Sequence, residues 1–161
     1  MSLTETLIVM AIVIIVMAGI AVLFTSAREK NNQSKTMQCL LFIRSNIEQL
    51  FNNGDFSGLN NEVLLTADVV PPDLQRNGSI QSFWGPITIE ESNGGQQYTI
   101  TLENLNTSAC QAIATLSTTS WAEVQAGGQT LYDRTVNTPI NNVDLINACS
   151  SATNTVVFTA P

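Results

Sequence analysis

The chain opens with a long run of apolar residues. Residues 7–24 read LIVMAIVIIVMAGIAVLF and include no charged side chain. Eighteen helical residues extend about 27 Å at 1.5 Å per residue, which is close to the roughly 30 Å hydrocarbon thickness of a bilayer. The pattern therefore predicts a helix that is apolar on every face and long enough to cross a membrane.

The helix is expected to continue well beyond this run, because residues 25–36 are polar but lack Pro and Gly. Apolar residues then recur at the three- and four-residue spacing of an amphipathic helix, namely at Leu40, Ile43, Ile47, Leu50 and Phe51. Asn52-Asn53-Gly54 is a stop signal. A continuous helix over residues 2–52 would be roughly 75 Å long, and its second half needs a domain to cover its apolar stripe.

The pattern divides the chain into 1–25, the apolar half of the helix; 26–53, its amphipathic half; and 54–161, a globular domain. Strands are expected at 86–91, 97–103, 120–125, 129–132 and 155–159, with turns at Ser92-Asn93-Gly94-Gly95 and at Gly127-Gly128. Short helices are expected at 62–69, capped by Asn60 or Asn61 and stopped by Pro71-Pro72, at 109–116, capped by Thr107 or Ser108, and at 143–149, capped by Asn142.

These elements do not follow a βαβ order, so the predicted fold class is α+β. A long N-terminal helix is expected to pack against a small antiparallel-sheet domain that carries short helices. The apolar face of the sheet should cover Leu40, Ile47 and Leu50 of the long helix. The residues expected on that face are Ile87, Ile89, Ile100, Leu102, Val156 and Phe158.

Composition and charge exclude several classes of function. The net charge of −7 argues against nucleic acid as a partner, because phosphate binding needs a basic face. The chain has no His, and it therefore lacks the usual general base near pH 7 and the commonest zinc ligand. It also has no GxSxG motif and no phosphate-cradling glycine loop. We therefore expect no enzymatic activity and no cofactor.

Other polar and aromatic residues are weak candidates for chemistry. Glu90 and Glu91 are neighbours on a strand and should point to opposite faces, which makes them a solvated edge and not an acid–base pair. Two isolated carboxylates, Asp133 and Asp144, give thin support for a calcium site. The two tryptophans, Trp84 and Trp121, are better explained as core than as exposed ligand-binding aromatics.

The flanks of the apolar run bear on how it enters a membrane. A signal peptide has a basic n-region, a shorter apolar core and an A-x-A-like exit, none of which is present here. Lys and Arg mark the cytoplasmic side of an inserted helix, yet the nearest basic residues are Arg28, Lys30 and Lys35, after the run. Either the segment inserts with its C-terminal end inside, or a basic leader was removed before Met1, which would leave a free amine there.

Glu5 is a carboxylate at the edge of the apolar run. In one interpretation it lies among lipid headgroups and gains from the positive end of the helix dipole. In the other it pairs with a cation when water and lipid are absent. The candidate cation is the Met1 amine of a neighbouring subunit.

The combination of a hydrophobic first residue, Glu5 and a long apolar helix that becomes polar resembles a mature type IV pilin. Met at position 1 in place of Phe resembles the type IVb branch. The segments QCLLFIRSNIEQLF, NGSIQSFWGPITI, ACQAI, SWAEV and NACSSATNTVVFTA are similar to PilS-type major pilins of conjugative thin pili. One departure is the lack of Pro in the N-terminal helix, so any flexibility of that helix should centre on Gly19.

The resemblance implies a structural role and a set of partners. It implies a subunit that is held in the inner membrane, polymerises with itself and becomes part of an extracellular pilus that serves conjugation, cell–cell contact or adhesion. The partners it implies are a prepilin peptidase, an assembly ATPase, a platform protein, an outer-membrane secretin and a minor pilin or tip adhesin. N-methylation of Met1 is implied as well.

The chain has three cysteines, Cys39, Cys110 and Cys149. Cys110 and Cys149 lie in predicted short helices, and the pair resembles the disulfide that closes the C-terminal region of pilins. Cys39, on the long helix, is expected to be a buried small apolar residue, with an intersubunit bridge as the weaker alternative.

The alternative functions are a pseudopilin or minor pilin, and a membrane-anchored binding domain that never polymerises.

Overall fold

The computed structural model describes residues 2–116 and 118–161, which form two compact units divided between Ser34 and Lys35. Helix α1 extends over Leu3–Leu50. It is unbroken at Gly19, as expected for a segment without Pro. The predicted long helix is confirmed, with ends one to two residues inside the expected bounds.

The unit that ends at Ser34 consists of the first part of α1. Every described side chain from Ser2 to Arg28 is exposed. An 18-residue window of this helix has a mean hydropathy of 3.2, so α1 is long and apolar enough to cross a membrane by length and composition. None of the described residues of this unit buries the apolar run.

The unit that begins at Lys35 adds three short helices and seven strands in its described part. The helices are α2 at Asn61–Thr66, α3 at Thr107–Ala114 and α4 at Asn142–Ala148. The strands are β1 at Gln75–Arg76, β2 at Ser79–Ile80, β3 at Ile87–Ser92, β4 at Gln97–Leu105, β5 at Glu123–Ala126, β6 at Gln129–Asp133 and β7 at Asn154–Thr159. Single 3-10 turns lie at Pro72–Leu74, Asn93–Gly95 and Thr118–Ser120.

The main sheet has five antiparallel strands in the order β3-β4-β7-β5-β6. The last strand of the chain, β7, therefore lies at the centre, between β4 and β5. Alternate residues are buried along β5, β7 and most of β4, as expected for a sheet with one covered face. The predicted apolar face is confirmed, since all six of its residues are at most 1% exposed: Ile87, Ile89, Ile100, Leu102, Val156 and Phe158.

The stripe on α1 is confirmed except at its end. Leu40, Ile43 and Ile47 are fully buried, but Leu50 is 50% exposed. The prediction for Leu50 was wrong because α1 ends at that residue, and the chain turns so that Phe51 packs inward instead. The Phe51 ring lies 5.9 Å from the ring of Phe56.

Two cap assignments, those of α3 and α4, were wrong by one position or more. The side chains that cap α3 and α4 are Asn106 and Asn141, which accept hydrogen bonds from Ala109 N–H and Val143 N–H. The sequence offered adjacent polar residues, and the cap is the one at which the backbone is still extended. Asn60 caps α2 as predicted, but α2 ends at Thr66, because the chain reverses before Pro71-Pro72, with Asp68 at a φ of 55°.

The hairpin β1–β2 was missed although its signal is present. Asn77 and Gly78 have φ values of 50° and 74°, the conformation that an Asn-Gly turn provides. The flanking strands are only two residues each, too short for alternation to be read.

Arg44 of α1 anchors this part of the helix to the sheet domain. Its guanidinium carbon lies 4.5 Å from the ring centroid of Trp121, and its Nε donates to Glu48 Oε1 at 2.8 Å. Trp121 is fully buried, as expected, and its indole N–H donates to the Leu116 carbonyl at 3.2 Å. Burial raises the pKa of the nearby Tyr98 hydroxyl, and the Glu48 carboxylate raises it further.

A disulfide joins Cys110 in α3 to Cys149 at the end of α4, as the resemblance implied. Both cysteines are fully buried. The bridge closes the part of the chain that contains β5, β6 and α4. It fixes this part next to β7, which begins five residues after Cys149.

Replacing both bridged cysteines by Ala should lower the free energy of unfolding by about 4 kcal/mol, the loop-entropy value for about 40 residues. Urea unfolding of the full chain in detergent micelles, followed by tryptophan fluorescence, measures this change. Cys39→Ala is the control and should change it by less than about 1 kcal/mol, because Cys39 is only half-buried. An equal loss in both variants would contradict a structural role for the bridge.

Gly127 and Gly128 provide a matched pair at the β5–β6 turn. Both have positive φ, but a Cβ on Gly127 would lie 2.2 Å from the Ala148 carbonyl oxygen, whereas one on Gly128 would meet nothing within 4 Å. Gly127→Ala should therefore destabilise the domain by about 1–3 kcal/mol more than Gly128→Ala. The same unfolding experiment compares them, and equal losses would show that backbone strain alone matters at this turn.

Candidate assembly surface

The start of α1 forms a reciprocal pair of hydrogen bonds between Ser2 and Glu5. The Glu5 N–H donates to Ser2 Oγ at 3.3 Å, and the Ser2 N–H donates to Glu5 Oε2 at 3.0 Å. This is a capping box, in which the residue before the helix and the third helical residue satisfy each other's backbone donors. The Glu5 carboxylate is therefore folded back over the start of the helix.

Thr6 supports the same turn. Its N–H and its hydroxyl both donate to the Ser2 carbonyl, each at 3.2 Å. The Ser2 N–H, hydroxyl and carbonyl are thus all engaged within the first turn. Of the two residues that we expected to act together here, Glu5 is described and exposed, whereas Met1 lies outside the described residues.

Ser2 was missed in the sequence analysis. Its signal is the S-x-x-E spacing immediately before an apolar helix, which marks a capping box. Glu5 drew attention only as an acid beside an apolar run, so its possible local partner was overlooked.

Gly19 lies in the middle of the apolar run. A Cβ added there would meet nothing within 4 Å, so no close approach of other atoms requires Gly at this position. The helix continues through it. The expectation that the helix flexes at Gly19 stays a prediction.

The domain that begins at Lys35 exposes further apolar side chains. Cys39 and Phe42 of α1, together with Pro71 and Pro72, line an open groove of about 380 Å³. Phe42 is 54% exposed. Cys39 is half-buried, a correction to the expected full burial, and desolvation and then the Asp73 carboxylate raise the pKa of its thiol.

The polar candidates do not assemble into a metal site. Among the described residues, no group of three or more His, Cys, Asp or Glu side chains is placed to hold an ion. Asp133 Oδ1 instead accepts from the Thr135 N–H at 2.8 Å and from its hydroxyl at 2.6 Å. These two bonds hold the pKa of the Asp133 carboxyl below its ordinary value.

Comparisons with known proteins agree on one family. The family model described as PilS N terminal matches residues 29–161. The chain belongs to the PilS family. Together with the similarities below, this identifies it as a type IVb pilin and confirms the resemblance drawn from the N-terminal and C-terminal motifs.

Two curated relatives of this PilS-family pilin carry the same description. The chain is 27% identical over 123 residues to the major structural subunit of bundle-forming pilus from Escherichia coli O127:H6 (strain E2348/69 / EPEC), and equally to that from Escherichia coli O111:H-. The match covers 73% of this chain and 64% of each relative, so the chain spans about two thirds of their length. These relatives are structural subunits and not enzymes.

A solved structure shares the fold of this pilin. It is the crystal structure of TcpA, a type IV pilin from Vibrio cholerae El Tor biotype, with a TM-score of 0.62 and 16% identity. The similarity covers 81% of this chain and 99% of that one. The predicted α+β fold, with a long N-terminal helix and an antiparallel-sheet domain, is thereby confirmed.

The Asp133–Thr135 turn predicts a specific pH dependence. A depressed pKa in the folded state means that Asp133 stabilises the pilin above the unfolded pKa of about 4 and loses this effect as pH falls through the folded pKa. Wild type should therefore unfold at a higher urea concentration than Asp133→Asn at pH 6, and the difference should shrink as the pH falls below the unfolded pKa and through the lowered folded pKa.

Thr135→Val is the matched variant, since it removes the hydroxyl donor and keeps the backbone donor. The charged Asp133 carboxylate should stabilise this variant less, and the effect should be lost over a pH range nearer to 4. If the midpoint difference between wild type and Asp133→Asn is independent of pH, the two hydrogen bonds do not stabilise the charged form.

Proposed function

We propose that this PilS-family pilin is the structural subunit of a type IV pilus, in which the apolar halves of α1 from many copies pack together. The observation that carries the proposal is that residues 7–24 are apolar on every face and exposed throughout. Burying one large apolar side chain contributes about 1.5–3 kcal/mol. The segment therefore favours leaving water by tens of kcal/mol in total.

Two environments satisfy such a segment. Lipid does so before assembly, which supports an inner-membrane subunit. A bundle of identical helices does so after extraction from the membrane. In such a bundle, the helices of neighbouring copies cover the faces of each helix that its own domain leaves exposed. Copies that dock with a stagger form a heterologous interface that does not close, and such an interface produces a filament.

Glu5 gives this packing its register. Apolar helices slide past one another with little change in contact, whereas a buried carboxylate that lacks a cation is strongly destabilising. We propose that the cation is the Met1 amine of a neighbouring subunit, exposed after a leader is removed. Glu5 then selects the stagger more than it adds to the stability of the filament.

The remaining assignments rest on the family resemblance. A prepilin peptidase would expose the Met1 amine, and an assembly ATPase with a platform protein would extract the subunit from the membrane. An outer-membrane secretin would pass the filament to the surface, where a minor pilin or adhesin forms the tip. Conjugation, cell–cell contact or adhesion is the proposed role of the finished pilus. Gly19 is proposed as the place where α1 loosens in the filament.

Glu5→Val should leave the pilin inserted in the membrane but abolish or scramble its filaments. Glu5→Gln should be milder, because the amide still accepts a hydrogen bond. The measurement is the amount and the helical order of sheared filaments, by immunoblotting and electron microscopy, at matched membrane levels of pilin. Glu90→Val changes an exposed Glu on β3 and should assemble normally. Normal filaments from Glu5→Val would refute the register role.

Micrographs of sheared wild-type material also separate the alternatives. Long filaments support a major pilin. Short stubs would support a pseudopilin or a minor pilin instead. Material that stays monomeric would support a membrane-anchored binding domain.

A further inference from the structure

We propose that Asn61 shields the outer edge of the main sheet at β3, where a strand from a second copy of this chain would otherwise pair. Strand β3 stands at one end of the five-strand order, so one side of its backbone lacks a neighbouring strand among the described residues. Such an edge is a template for pairing with another chain. The proposal concerns a surface outside α1 and does not depend on the pairing of Glu5.

The backbone groups of β3 that face outward follow from its bonds to β4. The Pro86 carbonyl, just before β3, accepts the Glu103 N–H of β4 at 3.1 Å. Because alternate residues of a strand turn their backbone groups to the same side, those of Ile87, Ile89 and Glu91 face away from β4. A further strand would bond to these groups.

Asn61, the first residue of α2, already occupies two of them. Its Nδ2 donates to the Ile87 carbonyl at 2.8 Å, and its Oδ1 accepts the Ile89 N–H at 2.7 Å. A side-chain amide has a donor and an acceptor, as a backbone peptide unit does. One side chain therefore takes the place of a short piece of strand.

The chain just before Asn61 extends this cover along the edge. The Leu59 carbonyl accepts the Glu91 N–H at 3.1 Å, and the Gly58 N–H donates to Glu91 Oε2. Residues 58–61 thus follow β3 from Ile87 to Glu91. The bonds to Asn61 and Leu59 together satisfy three outward-facing backbone groups of the strand.

A polymerising subunit has a specific reason to keep this edge covered. Copies of a pilin lie close together during assembly, so a pairing-competent edge would meet another one. Two β3 edges that pair antiparallel are related by a two-fold axis, and such an isologous contact closes on itself. A filament needs a heterologous contact instead. Pairing at β3 would therefore withdraw subunits from assembly.

Replacing Asn61 by Ala removes the amide and leaves the Ile87 carbonyl and the Ile89 N–H beneath residues 58–61 without that partner. Buried groups that lose their partner are costly, so this segment should lift off and uncover the edge. Asn60→Ala is the matched control. The Asn60 side chain caps α2 by accepting the Val63 N–H at 3.0 Å, so its loss loosens α2 but keeps the Asn61 amide on β3.

The first measurement is amide hydrogen exchange of the full chain in detergent micelles, with micelles in large excess over chains. At low chain concentration, the Ile89 amide of Asn61→Ala should exchange about five-fold faster than in wild type, the factor that corresponds to about 1 kcal/mol. In Asn60→Ala it should exchange as in wild type. Asn61→Ser takes the place of Asn61→Ala if the latter does not fold, since one hydroxyl oxygen cannot supply a separate donor and acceptor.

The second measurement is sedimentation over a series of rising chain concentrations in the same micelles. Asn61→Ala should self-associate with a dissociation constant at least about ten-fold lower than that of wild type or of Asn60→Ala, a difference of about 1.4 kcal/mol. In the associated form its Ile89 amide should again be protected from exchange, because a strand of the second copy then bonds to it.

Each outcome decides the matter. Stronger association of the Asn61 variant alone, with renewed protection at Ile89, supports the proposal. Faster exchange at Ile89 without stronger association would overturn it, because the uncovered edge then does not pair. Equal association of Asn60→Ala would overturn it as well, since a loosened α2 would suffice. An Ile89 amide that exchanges as in wild type at low concentration, or stays unprotected on association, would place the effect elsewhere and overturn it too.

Discussion

The apolar half of α1 has no polar face, and this constraint governs the rest of the molecule. A small domain can cover one stripe of a helix, as the sheet domain does for Leu40, Ile43 and Ile47. It cannot cover the full circumference of residues 7–24, whose side chains are all exposed. The second half of the helix is therefore covered by its own chain, whereas the first half, in the proposed function, is covered by lipid or by other copies.

The sheet domain is built so that its last strand completes it. Strand β7 lies between β4 and β5, so the core closes only when the C-terminal residues are in place. The Cys110–Cys149 bridge holds the chain just before β7 to α3. Arg44 on α1 is held between Glu48 and the Trp121 ring. These contacts make the second half of α1 part of the sheet domain.

Periodicity predicted most of the fold, because apolar spacing reports directly on burial. It identified the long helix, the β3–β4 hairpin and all six residues of the buried sheet face. It failed where geometry, and not burial, decides the outcome. Asn106 and Asn141 were passed over for neighbouring residues that could equally have capped, and Leu50 follows the helical spacing but lies where the helix ends.

The candidate site was predictable only in part, for the same reason. Glu5 is conspicuous as an acid beside an apolar run, and the bridged cysteines follow from the family resemblance. Ser2 is a common residue whose role depends on a partner three positions away. The sheet order could not be deduced either, because alternation shows which face of a strand is buried but not which strand lies beside it.

In the described part of the chain, the capping box gives the Glu5 carboxylate a hydrogen-bond partner without neutralising its charge. The Ser2 N–H satisfies one hydrogen-bond acceptor of Glu5, but it brings no positive charge, so the net charge of the group is unchanged. Hydrogen bonding and charge neutralisation are thus separate requirements. The subunit meets the first by itself, which orders the carboxylate. Among the described residues no cation meets the second, and in a medium without water only a cation can meet it. In the proposed filament, a neighbour that supplies an amine at the helix end would satisfy that need, whereas one docked at another stagger would leave the charge unpaired.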